Sequence, residues 1–82
     1  MNRADLALIS ATRRALRTGE ARQAREAAGV TQKEMAAACG TCPAYISMIE
    51  RLGPDGIPLR VPGTKLALAY GRALAALGQR AA

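Results

Sequence analysis

Residues 30–51 read VTQKEMAAACGTCPAYISMIER and contain the clearest start and stop signals for helices in this chain. Thr31 and Glu34 have the spacing of a capping box, in which each side chain accepts the backbone N–H of the other residue. The pattern predicts a helix that begins directly after Thr31. Gly40 is expected to end this helix, because glycine adopts the left-handed conformation of a helix C-cap at low cost.

A second helix is predicted to begin at Pro43, with only Thr41 and Cys42 between it and Gly40. Pro43 suits a first helical turn, because the N–H that proline lacks would be unpaired there. Ile46 and Ile49 are expected to form its inner face. A second stripe at i, i+3, i+4 and i+7 is expected to face outward, and it consists of Ala44, Ser47, Met48 and Arg51. Two short helices joined by a tight turn predict a helix-turn-helix.

The rest of the chain predicts three more helices, over about residues 2–17, 19–28 and 64–77. Residues 57–62 alternate apolar residues with proline or arginine, so they are expected to be extended but not to form a central strand. The predicted fold is all-α, a compact bundle of about five helices with a central helix-turn-helix.

The inner faces of these three helices are predicted from apolar residues at helical spacing. They are Leu6, Ile9 and Leu16 in the first helix, Ala21, Ala24 and Ala28 in the second, and Leu66, Tyr70, Leu74 and Leu77 in the last. The second helix would then expose Arg22, Gln23, Arg25 and Glu26, and Gly78 would end the last. The stripe on the first helix favours packing within the domain, with dimerisation through it or through the last helix as the alternative.

The charge of the chain predicts an anionic partner. Twelve Lys and Arg residues against six Asp and Glu residues give a net charge of +6. A basic small domain indicates nucleic acid first and an anionic membrane surface second. No apolar run approaches the roughly 18 residues of a membrane span, the N-terminus lacks a signal-type apolar core, and no helix pairs a large apolar face with a basic one. We therefore expect a cytoplasmic protein that does not bind membranes.

Catalysis and metal binding are not expected. The chain has no histidine, which excludes Ser-His-Asp and Cys-His catalytic units and histidine-ligated metal sites. We predict no catalytic residue, no metal and no cofactor. Cys39 and Cys42 form a CxxC pair, but a zinc site would need two more ligands. We interpret both as packing residues; a redox switch, or zinc shared across a dimer, is the alternative.

Three features carry a resemblance to a known family: VTQKEMA at 30–36, Gly40, and PAYISMIER at 43–51. With the preceding Thr18-Gly19-Glu20, Arg22, Arg25 and Gly29, they resemble the lambda-repressor-like, Cro-like (XRE) DNA-binding domain over roughly residues 18–77. The resemblance implies sequence-specific binding of double-stranded DNA by a small phage or bacterial transcriptional regulator. It favours a repressor or autoregulator that binds a short palindromic operator as a homodimer, without choosing among phage repressors, antitoxins and anti-CRISPR-associated regulators.

The resemblance also implies which residues contact DNA. The second motif helix would enter the major groove, which is about 12 Å wide. The residues that would face base edges are Pro43, Ala44, Ser47 and Met48. Tyr45 and Arg51 would lie nearer to phosphates, and Glu50 would be structural. Gln32 would touch the DNA backbone, and would either reach a base or buttress the second helix. The predicted DNA-binding residues are Thr31, Gln32, Lys33, Pro43, Ala44, Tyr45, Ser47, Met48, Arg51 and Arg60.

The side chains that discriminate most strongly between DNA bases are Arg, Asn and Gln. The outward stripe has none of these facing the bases. Residues 30–52 also have no net charge, since Lys33 and Arg51 balance Glu34 and Glu50. We therefore expect specificity to depend on Gln32, on DNA shape, or on basic flanks such as Arg60. Binding should be unusually sensitive to salt.

Because the second motif helix should discriminate only weakly between bases, a second interpretation stays open. In it the helix-turn-helix is a protein-interaction module of an antitoxin-like or antirepressor-like protein. Its main partner would then be another protein. In either case we expect residues 1–17 to be an N-terminal helical extension, residues 18–78 to form the helix-turn-helix domain with its motif at about 31–51, and residues 79–82 to be a tail.

Overall fold

The structure is a computed structural model that describes residues 1–81, and the side chains of residues 1–78. The prediction of an all-α fold with five helices is confirmed. In the described residues there is no strand, and one isolated antiparallel bridge joins Leu52 to Pro58. The helices are α1 (Arg3–Thr18), α2 (Glu20–Ala27), α3 (Gln32–Cys39), α4 (Pro43–Glu50) and α5 (Thr64–Ala81).

Local capping signals set the helix-turn-helix. The Thr31 hydroxyl accepts the Glu34 N–H at 3.1 Å, and the Glu34 carboxylate accepts the Thr31 N–H at 2.9 Å. Gly40 ends α3 in the left-handed region, with φ of 70°. Pro43 occupies the first turn of α4 as predicted. The turn between the two helices therefore follows from residues that are adjacent in sequence.

The predicted end of α5 is wrong, because the helix continues past Gly78 to Ala81. Gly78 is not among the glycines with positive φ. Without a left-handed residue, the chain makes no C-cap at this position and the helix goes on.

The core combines side chains from all five helices. Ile46 and Ile49 are fully buried, as predicted for the inner face of α4. The core cluster consists of Leu16, Ala21, Met35, Ala36, Ile46, Ile49 and Tyr70. Because Leu16 belongs to α1, this helix is part of the same core as the helix-turn-helix.

Two predicted inner faces are wrong in part. On α2, Ala24 and Ala28 are exposed, whereas Arg25 is only 5% exposed. The helix buries the row formed by Ala21 and Arg25, which are one turn apart. On α1, Leu6 is 57% exposed, because the helix packs through Ile9, Thr12 and Leu16 and Leu6 lies off that row.

The connection between α4 and α5 folds back on the C-terminal end of α4. The Leu59 N–H donates to the Arg51 carbonyl at 2.9 Å, and the Arg60 N–H donates to the Met48 carbonyl at 3.2 Å. From α1, the Arg13 guanidinium donates to the Pro62 carbonyl at 3.2 and 3.4 Å. The C-terminal half of the connection is therefore fastened both to α4 and to α1.

Candidate nucleic-acid interface

The face of α4 that was predicted to point outward is accessible. We call it the outer face of α4, formed by Ala44, Ser47, Met48 and the C-cap residue Arg51. Ser47 is partly exposed, and the other three are exposed. Of the neighbouring predicted residues, Pro43 is exposed and Tyr45 is half-buried. The structure thus brings the residues of the outer face together on one side of α4, whereas Tyr45 packs partly against the core. Their contact with DNA stays a prediction.

The start of α3 supplies three more predicted residues beside α4. Thr31 and Lys33 are exposed, whereas Gln32 is partly buried. The Gln32 amide donates to the Glu50 carboxylate at 3.2 Å. Of the two roles that the sequence left open for Gln32, this hydrogen bond corresponds to buttressing α4.

A buried polar cluster holds α4 in place. We call it the Glu50 cluster, formed by Arg25, Gln32, Glu50 and Tyr70. The Arg25 guanidinium donates to the two Glu50 carboxylate oxygens at 2.7 and 2.9 Å, and the Tyr70 hydroxyl donates to the same carboxylate at 2.6 Å. The cluster therefore connects α2, α3 and α5 to the last residue of α4.

Burial and hydrogen bonding act in opposite directions on the pKa values of Glu50 and Arg25, and in the same direction on the pKa of Tyr70. Burial alone would raise the pKa of Glu50, but the hydrogen bonds from Arg25, Tyr70 and Gln32 outweigh it and hold the pKa below its usual range. The pKa of Tyr70 is raised, first by burial and then by its hydrogen bond to the Glu50 carboxylate. The hydrogen bond to Glu50 likewise raises the pKa of Arg25, against the effect of burial. The folded protein therefore favours an ionised Glu50 next to a neutral Tyr70.

Sequence reasoning placed Arg25 on the outside and so missed this cluster, although it did expect a structural Glu50. The available signal was the spacing of Ala21 and Arg25, which puts both on one face of α2. A single buried arginine is acceptable only with a charged partner, and that partner is 25 residues away in the sequence.

The stability of the fold is expected to fall at both ends of the pH range. A carboxyl with a lowered pKa stabilises the fold above its unfolded pKa, about 4.3 for glutamate, and this contribution is lost as the pH falls through the folded pKa. Tyr70 has the opposite sign, because its raised pKa gives a contribution that is present below about pH 10 and lost above it. Thermal unfolding followed by circular dichroism should give a plateau between about pH 5 and 9.

The variant Tyr70→Phe distinguishes the loss of stability at high pH (the alkaline limb) from the loss at low pH (the acid limb). It removes the titrating phenol, so the loss of stability above about pH 10 should become smaller. The acid limb should shrink only in part, because Arg25 and Gln32 still donate to the Glu50 carboxylate. An unchanged alkaline limb in this variant would contradict the assignment to Tyr70.

Arg60 extends the candidate interface beyond α4. It is exposed, and its guanidinium carbon lies 5.4 Å from the centroid of the Tyr45 ring, within the range of a cation–π contact. The backbone hydrogen bond from Arg60 to Met48 fixes its Cα beside the outer face of α4. The chain thus places a cation at the edge of a helix face that has little charge of its own.

The two cysteines are free. Cys39 is partly buried and packs against the core, and burial raises the pKa of its thiol, while Cys42 is exposed. Among the residues that the structure describes, no group of three or more His, Cys, Asp and Glu side chains could hold a metal ion. None of the helices in the described part of the chain is long and apolar enough to cross a membrane.

Comparison with known protein families finds a match over the middle of the chain. Residues 22–55 match a protein-family model described as Helix-turn-helix. The match contains α3, α4 and most of α2, whereas α1 and α5 lie outside it. No curated protein and no solved structure matches the chain at a significant level.

Proposed function

We propose that this chain, whose residues 22–55 match a family model described as Helix-turn-helix, is a small transcriptional repressor of the lambda-repressor-like, Cro-like (XRE) type. It binds a short palindromic operator in double-stranded DNA as a homodimer. The observation that carries the proposal is the outer face of α4, which is accessible while the Glu50 cluster fixes the same helix from behind. A helix that is held in this way can enter the major groove without changing the fold.

The side chains of the outer face determine how bases are read. The Ala44 methyl group can contact a thymine methyl, and the Ser47 hydroxyl can donate to or accept from several bases. Neither of these two contacts discriminates strongly between bases. One donor of the Gln32 amide is bound to Glu50, so this side chain positions α4 more than it reads a base. Specificity therefore depends in part on the shape and deformability of the operator.

Phosphate contacts supply most of the affinity. Thr31, Lys33, Arg51 and Arg60 are exposed around the outer face of α4, and the chain has a net charge of +6. Each neutralised phosphate releases counterions, so affinity falls steeply with salt.

The proposed function is tested by fluorescence anisotropy with purified protein and the DNA upstream of its own gene, at two salt concentrations, beside a scrambled duplex of equal length. We expect a preference for the upstream DNA of about 10³ or more that persists at the higher salt. Equal binding to both duplexes that disappears with salt would contradict the proposal, because charge alone gives that behaviour.

The salt dependence also tests Arg60. If this side chain neutralises one phosphate, Arg60→Ala should weaken binding and lower the slope of log K against log salt by about 0.9. Arg72→Ala is the control with the same change in net charge, because Arg72 already pairs with Asp5 at 3.3 Å on the α1 side of α5. Equal changes of slope in both variants would show that net charge, and not a contact of Arg60, sets the salt dependence.

A further inference from the structure

The side chain of Arg60 has a defined place although it is exposed. Its guanidinium carbon lies 5.4 Å from the centroid of the Tyr45 ring. Tyr45 belongs to the first turn of α4 and packs, half-buried, against the core. Because the core holds the ring, the ring gives the guanidinium a fixed surface on the same helix that carries the outer face of α4.

The backbone around Arg60 is held on both sides. Before the side chain, the Arg60 N–H donates to the Met48 carbonyl at 3.2 Å. After it, the Pro62 carbonyl accepts the Arg13 guanidinium at 3.2 and 3.4 Å. Arg13 belongs to α1, which lies outside the residues that match the family model. A helix beyond the matched motif thus restrains the chain two residues from Arg60.

We propose that Tyr45 and Arg13 are positioning residues for DNA binding, which hold the Arg60 guanidinium in place for a DNA phosphate and do not touch DNA themselves. The inference rests on the proposed function, because it requires DNA on the outer face of α4. It also gives α1 a part in binding, although none of the predicted DNA-binding residues lies in that helix.

Orientation matters for Arg60 because a long, free side chain samples many rotamers. Binding to a phosphate selects one of them, and this loss of conformational freedom weakens binding unless the free protein is already restricted. A cation–π contact at an exposed site is of comparable strength, so the ring can restrict the arginine before DNA arrives. Ordering one long side chain in advance corresponds to a gain in affinity of about 2- to 10-fold.

The contacts of Arg60 with the ring and with a phosphate are compatible. An arginine meets an aromatic ring with the face of its planar guanidinium, whereas its N–H donors lie in the plane and match the oxygens of a phosphate. Arg60 can therefore bind a phosphate without leaving the Tyr45 ring.

The hydroxyl of Tyr45 distinguishes this role from the one that the resemblance implied, in which Tyr45 itself lies near a phosphate. A direct contact with a phosphate needs the phenol O–H as donor. A cation–π contact needs only the ring, and phenylalanine supplies one as well. Removing the hydroxyl and removing the ring should therefore have different effects.

Fluorescence anisotropy with the upstream duplex tests Tyr45 through a double-mutant cycle with Arg60. Tyr45→Leu removes the ring and should weaken binding about 2- to 10-fold, whereas Tyr45→Phe should bind like the wild type. In the Arg60→Ala background, Tyr45→Leu should have no further effect. A loss in Tyr45→Phe as large as in Tyr45→Leu would assign the hydroxyl to a phosphate. An undiminished loss in the Arg60→Ala background would make the role of the ring purely structural. Either result overturns the proposal for Tyr45.

Arg13→Met tests the part of α1, with Arg14→Met as the matched control. Arg14 is the next residue of the same helix and is exposed, and both substitutions lower the net charge by one. We expect weaker binding only in Arg13→Met, and we expect this loss to disappear in the Arg60→Ala background. Equal losses in the two variants would show an effect of net charge and would contradict a positioning role for Arg13.

Nuclear magnetic resonance of the free protein measures the orientation of Arg60 without DNA. Protons above an aromatic ring are shielded, so the Arg60 side-chain signals should shift upfield in the wild type and in Tyr45→Phe, and return to ordinary values in Tyr45→Leu. Ordinary values in the wild type would overturn the proposal. Circular dichroism shows whether each variant keeps the fold.

The same measurements separate this proposal from the proposed function. Equal binding to the upstream and scrambled duplexes would contradict the repressor, but the cycle on either duplex would still decide whether Tyr45 acts through Arg60. A preference for the upstream duplex without coupling between the two residues would contradict positioning alone. Absence of any DNA binding would contradict both.

Discussion

Glu50→Ala is expected to lower the free energy of unfolding by about 3–5 kcal/mol, because removing one partner of a buried ion pair leaves the other charge uncompensated. Arg25 is 5% exposed, and its guanidinium donates to both oxygens of the Glu50 carboxylate. Tyr70, which is fully buried, loses the acceptor of its hydroxyl in the same variant. A domain of this size has a total stability of about 4–12 kcal/mol, so much of the variant should be unfolded at ordinary temperature. Urea unfolding followed by circular dichroism measures the change.

The chain contains a matched control for this variant. Arg22 and Glu26 form an ion pair of the same residue types at 3.6 Å, but their side chains are 52% and 53% exposed. Glu26→Ala should cost less than about 1 kcal/mol, since solvent screens exposed pairs. Equal losses in Glu26→Ala and Glu50→Ala would show that the buried cluster does not have the structural role that its geometry indicates.

Ala44→Glu is expected to reduce specific DNA binding at least about 100-fold, because a like charge facing a partner costs several kcal/mol. Ala44 is an exposed residue in the first turn of α4. A carboxylate in a first helical turn interacts favourably with the helix dipole, so the fold should be kept or slightly stabilised. The variant thus separates binding from folding, and anisotropy with a parallel thermal unfolding curve measures both.

Ala4→Glu controls for the change in net charge. Ala4 is also exposed and is the second residue of α1, as Ala44 is the second residue of α4. Both substitutions add one acid to the first turn of a helix and lower the net charge equally. Similar losses of affinity in the two variants would contradict insertion of α4 into the groove.

The parts of the fold that depend on neighbouring residues could be predicted from the sequence. The capping box of Thr31 and Glu34, the left-handed Gly40 and the start of α4 at Pro43 are set by local hydrogen bonds and sterics. The burial of Ile46 and Ile49 follows from the helical period, and the same period correctly predicted that the outer face of α4 is accessible.

The parts that depend on distant residues could not be predicted. The rotation of α2 that buries Arg25 is set by Glu50, a partner from another helix. The burial of Pro58 and Pro62 was equally hidden, because the sequence shows alternation between residues 57 and 62 but not that the prolines take the inner positions. Gly78 failed as a stop signal, since glycine only permits a left-handed conformation and does not impose it.

The Glu50 cluster also limits how this motif can be engineered. Residues 22–55 include Arg25, Gln32 and Glu50, but Tyr70 reaches the carboxylate from α5, and Leu16 completes the core from α1. A segment limited to residues 22–55 and grafted onto another scaffold would carry the Glu50 carboxylate without the Tyr70 hydroxyl that donates to it. It would also carry Ile46 and Ile49 without the Leu16 side chain of the same core. The smallest portable unit of this protein therefore includes both flanking helices, and a chimaera that exchanges recognition helices should replace only the outer face of α4.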